Sequence, residues 1–196
     1  MTGKFKIDFS GYKKIKHDHL IIEFNNKLKL IYNDIRKFGF IEIVEKPFDI
    51  FKLKNLGYEP SIITNFRDSL FSKLKKRKAS IKDILLDQSF ICGIGNIYAC
   101  EILFEAKISP FKKGIKFYKN EFIILLKALQ SIIEEAIKKG GSSIKDYSSP
   151  KDELGYFQTK FQVYDREGLP CYYCKSLITR IKQNGRSTFF CIKCQS

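Results

Sequence analysis

Apolar and polar residues alternate along the first 45 positions with the two-residue period that is typical of β-strands. The alternation covers Lys4–Phe9, His19–Phe24, Lys27–Tyr32 and Phe38–Val44, and we predict a strand over each range. Glycine, asparagine and aspartate residues separate these ranges as turns. A sheet of four such short strands needs another layer to bury its second face.

From Pro47 to Gly141 the apolar spacing becomes helical. Thr64 and Ser80 are predicted to cap the first two helices. We predict helices over residues 65–77, 81–90, 96–106 and 118–139. The apolar stripe of the last helix is most simply a core-facing surface, and residues 142–160 form a long connection.

Two Cys-x2-Cys motifs lie near the C-terminus, at Cys171/Cys174 and Cys191/Cys194, with 16 residues between them. This spacing is typical of a four-cysteine structural zinc site. The residues between the motifs predict strand 177–182, a turn at Asn184-Gly185 and strand 187–190. Two disulfides are the weaker alternative, because nothing else in the sequence indicates secretion.

The composition favours a polyanionic partner. The 196 residues include 36 Lys and Arg against 21 Asp and Glu, which gives a net charge of +15, and such a field attracts nucleic acid or an anionic membrane. No apolar run is long enough to span a bilayer, and no signal peptide opens the chain. We therefore expect a soluble cytoplasmic protein with no membrane partner.

A glycine-bearing turn, Gly93-Ile94-Gly95-Asn96, is predicted between the second and third helices. Backbone N–H groups at a helix N-terminus form a ready phosphate site. Taken alone, a tight helix-to-helix turn explains the motif equally well, but the basic run 73–78 favours phosphate. We expect Cys92 and Cys100 to be inert buried residues, and Asp87 and Glu101 to be structural rather than catalytic.

Several motifs together resemble the formamidopyrimidine-DNA glycosylases. Residues 86–99 with Ile108-Ser109-Pro110 resemble the helix–two-turn–helix of that family, and residues 155–195 resemble its zinc hairpin. Met1-Thr2-Gly3, His17-Asp18-His19 and the run 33–39 match further family motifs in the same order. The resemblance covers the whole chain.

The resemblance implies an α+β fold in four segments. These are a partial N-terminal β-sandwich at 1–46, a helical domain with the helix–two-turn–helix at 47–141, a lesion loop or linker at 142–160, and a zinc-finger hairpin at 161–196. It also implies one structural zinc ion and damaged double-stranded DNA as the partner. We expect a monomer associated with the nucleoid.

The resemblance further implies two sets of DNA-contacting residues. The space left by an everted nucleotide is filled by Met1, Arg36 and Phe38. The DNA backbone is contacted by His17, Arg77, Lys82, Asn96 and Arg186. Without the family, a strand core residue is the weaker alternative for Phe38, and His17 is an ordinary loop histidine or a metal ligand with His19.

Arg186 also matches the arginine that assists δ-elimination in the family, but an arginine stays protonated, so we expect it first to position a phosphate. The N-terminal proline nucleophile of the family, the glutamate after it and a later lysine have no counterpart in this sequence. We therefore expect the N-terminal catalytic segment to be absent, and Met1 to correspond to an internal family position.

Whether the chain is itself an enzyme stays open at this point. One interpretation is the C-terminal part of a base-excision glycosylase and lyase that performs β,δ-elimination at oxidised purines. The alternative is a non-catalytic module that binds damaged DNA and was left by gene decay. A zinc ribbon associated with RNA or the ribosome is less favoured, because it would not need the turn and wedge motifs.

Overall fold

The computed structural model describes residues 3–9, 11–41, 43, 45, 55–142 and 156–195. The chain divides into two compact units. The first, here called the sheet unit, contains Met1–Asp49 and Ala136–Lys160, and the second, the helical unit, contains Ile50–Glu135 and Phe161–Ser196. The four-segment division made from the sequence follows chain order and stays a prediction.

In its described residues the sheet unit has three antiparallel strands in the order β1-β3-β2, namely β1 Lys4–Asp8, β2 Asp18–Glu23 and β3 Lys29–Asn33. They confirm the first three predicted strands. The fourth, Phe38–Val44, is wrong for the described residues 38–41 and 43, none of which is in a strand. The cause is local, because the N–H of Gly39 donates to the Asp34 carboxylate instead of a neighbouring strand.

One face of this sheet is apolar and partly exposed. The strand register places Phe5 beside Tyr32 and Ile7 beside Leu30, and Ile22 completes the second row. Phe5 is 40% and Ile22 is 41% exposed. The described residues of the sheet unit therefore do not cover this apolar face, for which the alternation predicts another layer.

The described residues after the sheet contain four α-helices, α1 Arg67–Leu74, α2 Ile81–Leu86, α3 Asn96–Glu105 and α4 Lys119–Lys138, and 3-10 turns at Pro60–Phe66, Gly114–Lys116 and Phe157–Lys160. The predicted Ser80 cap is confirmed, since its side chain accepts the N–H of Asp83. Helix α2 ends at Leu86 rather than at Phe90, because Asp87 adopts an extended conformation. The first predicted helix begins instead as the 3-10 turn that carries Pro60.

The core of the helical unit surrounds α3. Residues 99–104 of this helix are all buried. Side chains from α1, α2 and α4 that are also fully buried include Leu70, Leu74, Ile81, Leu85, Phe122, Leu125 and Leu129. Within the described ranges, none of the helices combines the length and apolar character needed to cross a membrane.

The C-terminal hairpin consists of β4 Thr179–Gln183 and β5 Arg186–Phe190, paired antiparallel. Its turn residues Asn184 and Gly185 have φ angles of 46° and 80°. Two successive left-handed residues match the favoured two-residue hairpin turn, which explains the Asn-Gly pair. The predicted turn is confirmed, and it places Arg186 at the first position of the returning strand.

Candidate metal centre and nucleic-acid interface

The four C-terminal cysteines form one cluster. Their Sγ atoms all lie within 4.8 Å of one another, at 3.8 Å for Cys171 and Cys194 and 3.4 Å for Cys174 and Cys191. A disulfide would need about 2.05 Å, whereas sulfurs around a tetrahedral zinc at about 2.3 Å are about 3.8 Å apart. The cysteines are free and fit one structural zinc ion.

Gln195 supports this cluster and was not singled out from the sequence. It is 5% exposed. Its Oε1 accepts the N–H of Cys191 at 2.9 Å, and its Nε2 donates to the Ile108 carbonyl at 3.0 Å. The second cysteine motif is therefore tied to the loop after α3. The only signal in the sequence was a polar residue directly after the last ligand.

A continuous apolar cluster joins the hairpin to α3. Its buried members are Cys100, Phe104, Val163, Cys171, Ile178, Phe189 and Cys191. Burial raises the pKa of the Cys100 thiol, which keeps it protonated and unreactive. The prediction that Cys100 is a buried, inert residue is confirmed.

Glu101 holds the chain that enters the hairpin. Its carboxylate is 1% exposed and accepts the N–H groups of Gln162, Val163 and Tyr164 at 2.8, 3.1 and 2.8 Å. Burial raises the pKa of Glu101, and the three N–H donors oppose that shift. The structural role predicted for Glu101 is confirmed, because its oxygens are occupied by backbone donors.

The Lys82 side chain is buried, whereas the resemblance implies that it contacts the DNA backbone. Its side chain is 1% exposed, and Nζ donates to the Ser187 carbonyl at 3.1 Å and to Thr188 Oγ1 at 2.8 Å. Burial lowers the pKa of this amine. A direct contact with a DNA phosphate needs an exposed ammonium, so the structure instead makes Lys82 a support for the hairpin.

Asn96 shares the acceptor that Lys82 uses. As the first residue of α3, it donates from Nδ2 to the Ser187 carbonyl at 3.0 Å. Arg186 precedes Ser187 and is exposed. The Ser187 carbonyl therefore holds the tip of the hairpin, including the backbone of Arg186, beside Asn96, the first residue of α3.

The turn before α3 is shaped by Gln88, a second residue that sequence reasoning missed. Gln88 Oε1 accepts the N–H of Gly93 at 2.8 Å, and Nε2 donates to the Ile94 carbonyl at 3.0 Å. A Cβ atom added at Gly95 would meet nothing within 4 Å. The first N–H groups of an α-helix have no acceptor within the helix, and such a terminus is a typical site for a phosphate.

Arg77 is engaged within the protein. Its guanidinium donates to the Asp87 carboxylate, which also accepts the N–H of Ser89 at 2.9 Å. Burial opposes ionisation of Asp87, but the bonds from Ser89 and Arg77 outweigh it and lower its pKa. The side chain of Arg77 is 31% exposed, so it retains a surface for an outside anion.

Arg36 and Phe38 lie together on the loop after β3. The guanidinium carbon of Arg36 lies 4.5 Å from the centroid of the Phe38 ring, which is a cation–π distance. Phe38 is 71% exposed. The alternative of Phe38 as a strand core residue is therefore wrong.

His17 lies in the sheet unit with a φ angle of 75°. Its carbonyl accepts the N–H of Asp34 at 3.1 Å, and its ring centroid is 6.4 Å from that of His19. Among the residues described, the four cysteines are the only group of three or more potential ligands placed to hold a metal. Met1 lies outside the described residues, as do residues 143–155 of the predicted lesion loop.

Comparisons with known proteins agree on one family. Residues 56–148 match the formamidopyrimidine-DNA glycosylase H2TH domain, and residues 168–196 match a zinc finger found in FPG and IleRS. Formamidopyrimidine-DNA glycosylase of Rickettsia conorii is 40% identical over 200 residues, covering 100% of this chain and 72% of that protein. The protein of the same name from a Wolbachia of Drosophila simulans is 39% identical with the same coverage.

Solved structures give the same result. The complex of Lactococcus lactis Fpg with DNA containing an abasic site superimposes with a TM-score of 0.91 at 37% identity, covering 100% of this chain and 72% of that one. MutM (Fpg) from Thermus thermophilus gives 0.88 at 35% identity, with 100% and 73% covered. The predicted fold class, with its helix–two-turn–helix and four-cysteine hairpin, is confirmed.

Proposed function

Because this chain belongs to the formamidopyrimidine-DNA glycosylase family, we propose that it serves base-excision repair as a DNA glycosylase that binds damaged duplex DNA. Its substrate class is oxidised purines. The proposal is supported by relatives of that name and by structural neighbours bound to Fapy-dG and abasic DNA.

The observation that carries the proposal is the shared bond at the Ser187 carbonyl. Lys82 and Asn96 both donate to it, so one exposed arginine and one helix N-terminus are held side by side. An arginine fork and the N–H groups at the N-terminus of a helix both recognise phosphate oxygens. Arg186 and Asn96 would thus hold the DNA backbone, while Lys82 keeps the hairpin in place.

Arg36 and Phe38 are proposed to fill the space that an everted nucleotide leaves. An apolar ring inserted between base steps offsets part of the cost of unstacking. A guanidinium beside it supplies hydrogen-bond donors for the base that has lost its partner. Met1 is proposed to join them, and His17 to contact the backbone.

The chemical step of the family begins with an amine that attacks the sugar and forms a Schiff base, which leads to strand cleavage. For this chain we propose that Arg186 assists by positioning a phosphate. Borohydride trapping on abasic DNA tests the step directly. A trapped adduct would locate the amine nucleophile within these 196 residues.

The zinc ion has a structural part in this function. The four cysteines fit one ion, and with all four positions taken by thiolates the site offers none for water or substrate. We further propose a monomer that works on nucleoid DNA in the cytoplasm. Sedimentation with and without a short duplex tests the monomer.

The binding proposal is tested with two matched arginine variants of the hairpin. Arg186→Ala should weaken binding to an abasic duplex and reduce the salt slope by about one unit, because one phosphate contact is lost. Arg180→Ala is the control, since Arg180 is an exposed arginine of the same hairpin that pairs with Glu167. Equal effects of both variants would contradict a specific role for Arg186.

A further inference from the structure

The loop that carries Arg36 and Phe38 is built around one buried carboxylate. Asp34 is 2% exposed. Its Oδ1 accepts the N–H of Arg36 at 3.1 Å, and its Oδ2 accepts the N–H of Gly39 at 3.1 Å. The Tyr32 hydroxyl also donates to Oδ2, at 3.1 Å. One side chain therefore holds both ends of the five-residue loop 35–39.

The backbone of Asp34 is held as firmly as its side chain. Its N–H donates to the His17 carbonyl at 3.1 Å, and its own carbonyl lies 2.9 Å from His19 Nε2. Asp34 is therefore held in position by His17 and His19, which lie outside the loop 35–39. Because Asp34 is held, the loop residues that are bonded to its carboxylate are held as well.

The side chains of the loop are largely exposed among the residues that the structure describes. Phe38 is 71% exposed and Ile35 is 62% exposed. An exposed loop of this kind loses its geometry when its hydrogen bonds are removed, because no buried surface replaces them. The bonds to Asp34 therefore determine where the Arg36 and Phe38 side chains point.

We propose that Asp34 is a positioning residue that pre-forms the Arg36–Phe38 wedge for insertion into the space that an everted nucleotide leaves in duplex DNA. This inference rests on the proposed function and deepens it. Asp34 touches no DNA itself and acts only through the loop. A preformed wedge avoids the ordering cost that a flexible loop would add on binding.

The chemistry of the carboxylate makes the proposal specific. An ionised carboxylate accepts at both oxygens, whereas an amide of the same shape accepts at one and donates at the other. In Asp34→Asn the NH2 group would face the N–H of Arg36 or, when flipped, the Gly39 N–H and the Tyr32 hydroxyl. Either orientation releases one end of the loop.

Gly39 offers a second way to displace the loop without changing any charge. A Cβ atom at this position would lie 1.8 Å from the Tyr32 hydroxyl oxygen and 2.8 Å from the carbon that bears it. In Gly39→Ala either the loop or the Tyr32 ring must therefore shift, and a shift of the ring would disturb the hydrogen bond from Tyr32 to Asp34. If loop geometry is what matters, this variant and Asp34→Asn should have the same effect on DNA binding.

The matched control is Asp18→Asn. Asp18 is also a buried carboxylate of the sheet unit, 4% exposed, and it accepts from Ile15 N at 3.0 Å and Asn33 Nδ2 at 2.7 Å. The groups that donate to it, on Tyr12, Ile15 and Asn33, lie outside the loop 35–39. Loss of its bonds should destabilise the sheet unit by a similar amount and leave the wedge in place.

The experiment uses the zinc-loaded 196-residue chain and a duplex with an abasic-site analogue opposite 2-aminopurine. Anisotropy gives the affinity relative to an intact duplex, and 2-aminopurine fluorescence reports whether the opposite base is unstacked. We expect Asp34→Asn and Gly39→Ala to lower the preference for abasic DNA about tenfold, as expected for loss of a charged hydrogen bond. Both should suppress the fluorescence change, and Asp18→Asn should retain both signals.

A double-mutant cycle separates positioning from general destabilisation. In the background of Arg36→Ala with Phe38→Ala, Asp34→Asn should have no further effect on the preference for abasic DNA. A further loss in that background would overturn the proposal, as would an Asp34→Asn variant that keeps the wild-type preference and fluorescence. If instead the wild-type chain itself shows no preference, the proposed function fails and not only the role of Asp34.

Discussion

The two compact units differ in what holds in place the residues that we propose to contact DNA. In the helical unit, Asn96 and Arg186 stand on a helix and a hairpin whose facing sides are buried in a common apolar cluster. In the sheet unit, Ile31 is the only buried apolar residue of the three strands, and an apolar face is partly exposed. Buried polar residues, Asp18, Asn33 and Asp34, take the place of a core there.

The difference shows two ways to position a functional side chain. Packing fixes a residue through many weak contacts, so the loss of one contact is tolerated. A buried carboxylate fixes a loop through a few directional bonds, so a single substitution releases it. We therefore expect the helical unit to respond mainly to changes of volume and metal, and the sheet unit to changes of hydrogen bonding.

The largest expected effect is loss of the zinc ion. Chelation or Cys191→Ser should unfold the hairpin, because binding energies of structural zinc are about 10 kcal/mol or more and a two-stranded hairpin is unstable alone. DNA binding should be lost with it. Cys92→Ser is the control, since Cys92 lies outside the cluster. A folded, DNA-binding protein without zinc, seen by NMR, would contradict the structural role of the metal.

The next largest effect is the loss of stability when an apolar side chain is shortened, and we expect it to differ between helix α3 and the exposed face of the sheet. Leu103→Ala removes a fully buried side chain of α3 and should cost about 2 to 5 kcal/mol in urea unfolding. Ile22→Ala removes a side chain that is 41% exposed on the sheet, so it should cost clearly less. Equal costs would mean that the face of the sheet is covered in solution.

A smaller effect is expected on the stability of the sheet unit at acidic pH. Burial opposes ionisation of Asp18, but hydrogen bonds from Tyr12 and Asn33 outweigh it and lower its pKa. A lowered folded-state pKa stabilises the fold above the ordinary aspartate range, near pH 4, and that stability is lost as pH falls through the folded value.

Asp18→Asn should therefore reduce stability by about 1 to 3 kcal/mol at neutral pH and flatten its dependence on acid. Hydrogen exchange of the β3 amides between neutral and acidic pH measures both. Unchanged acid sensitivity in the variant would show that another carboxylate controls the sheet.

The smallest effect is expected at the surface of the hairpin. Glu167 and Arg180 are about half exposed, and their charged atoms lie 3.4 Å apart. Exposed pairs of this kind contribute about 0 to 1 kcal/mol, so Glu167→Gln should change the urea midpoint little. A large loss would show that the hairpin depends on its rim charges as well as on its core.

Local patterns predicted much of this structure. The alternation predicted β1 to β3, the Asn-Gly pair predicted the hairpin turn, and the cysteine spacing predicted the metal cluster, because each feature depends on neighbours in sequence. The strand predicted at Phe38–Val44 is wrong in the described residues, where the Asp34 carboxylate accepts the N–H of Gly39.

Long-range partners account for the remaining differences. Lys82 looked like a surface cation, but it meets Ser187 and Thr188, more than 100 residues away in the chain. Gln195 was missed for the same reason, since the Ile108 carbonyl that it meets is 87 residues away. Gln88 has near partners, Gly93 and Ile94, but its role depends on the conformation of the turn that contains them. A sequence pattern does not show which residues come into contact after folding.

The central claim is that this chain holds damaged duplex DNA through phosphate contacts and an inserted wedge. The most direct test is an anisotropy titration of the zinc-loaded protein with an abasic duplex and a matched intact duplex over a series of salt concentrations. We predict tighter binding to the abasic duplex and an affinity that falls steeply with salt, since several phosphates are contacted. Equal affinities for the two duplexes with a flat salt response would contradict the claim.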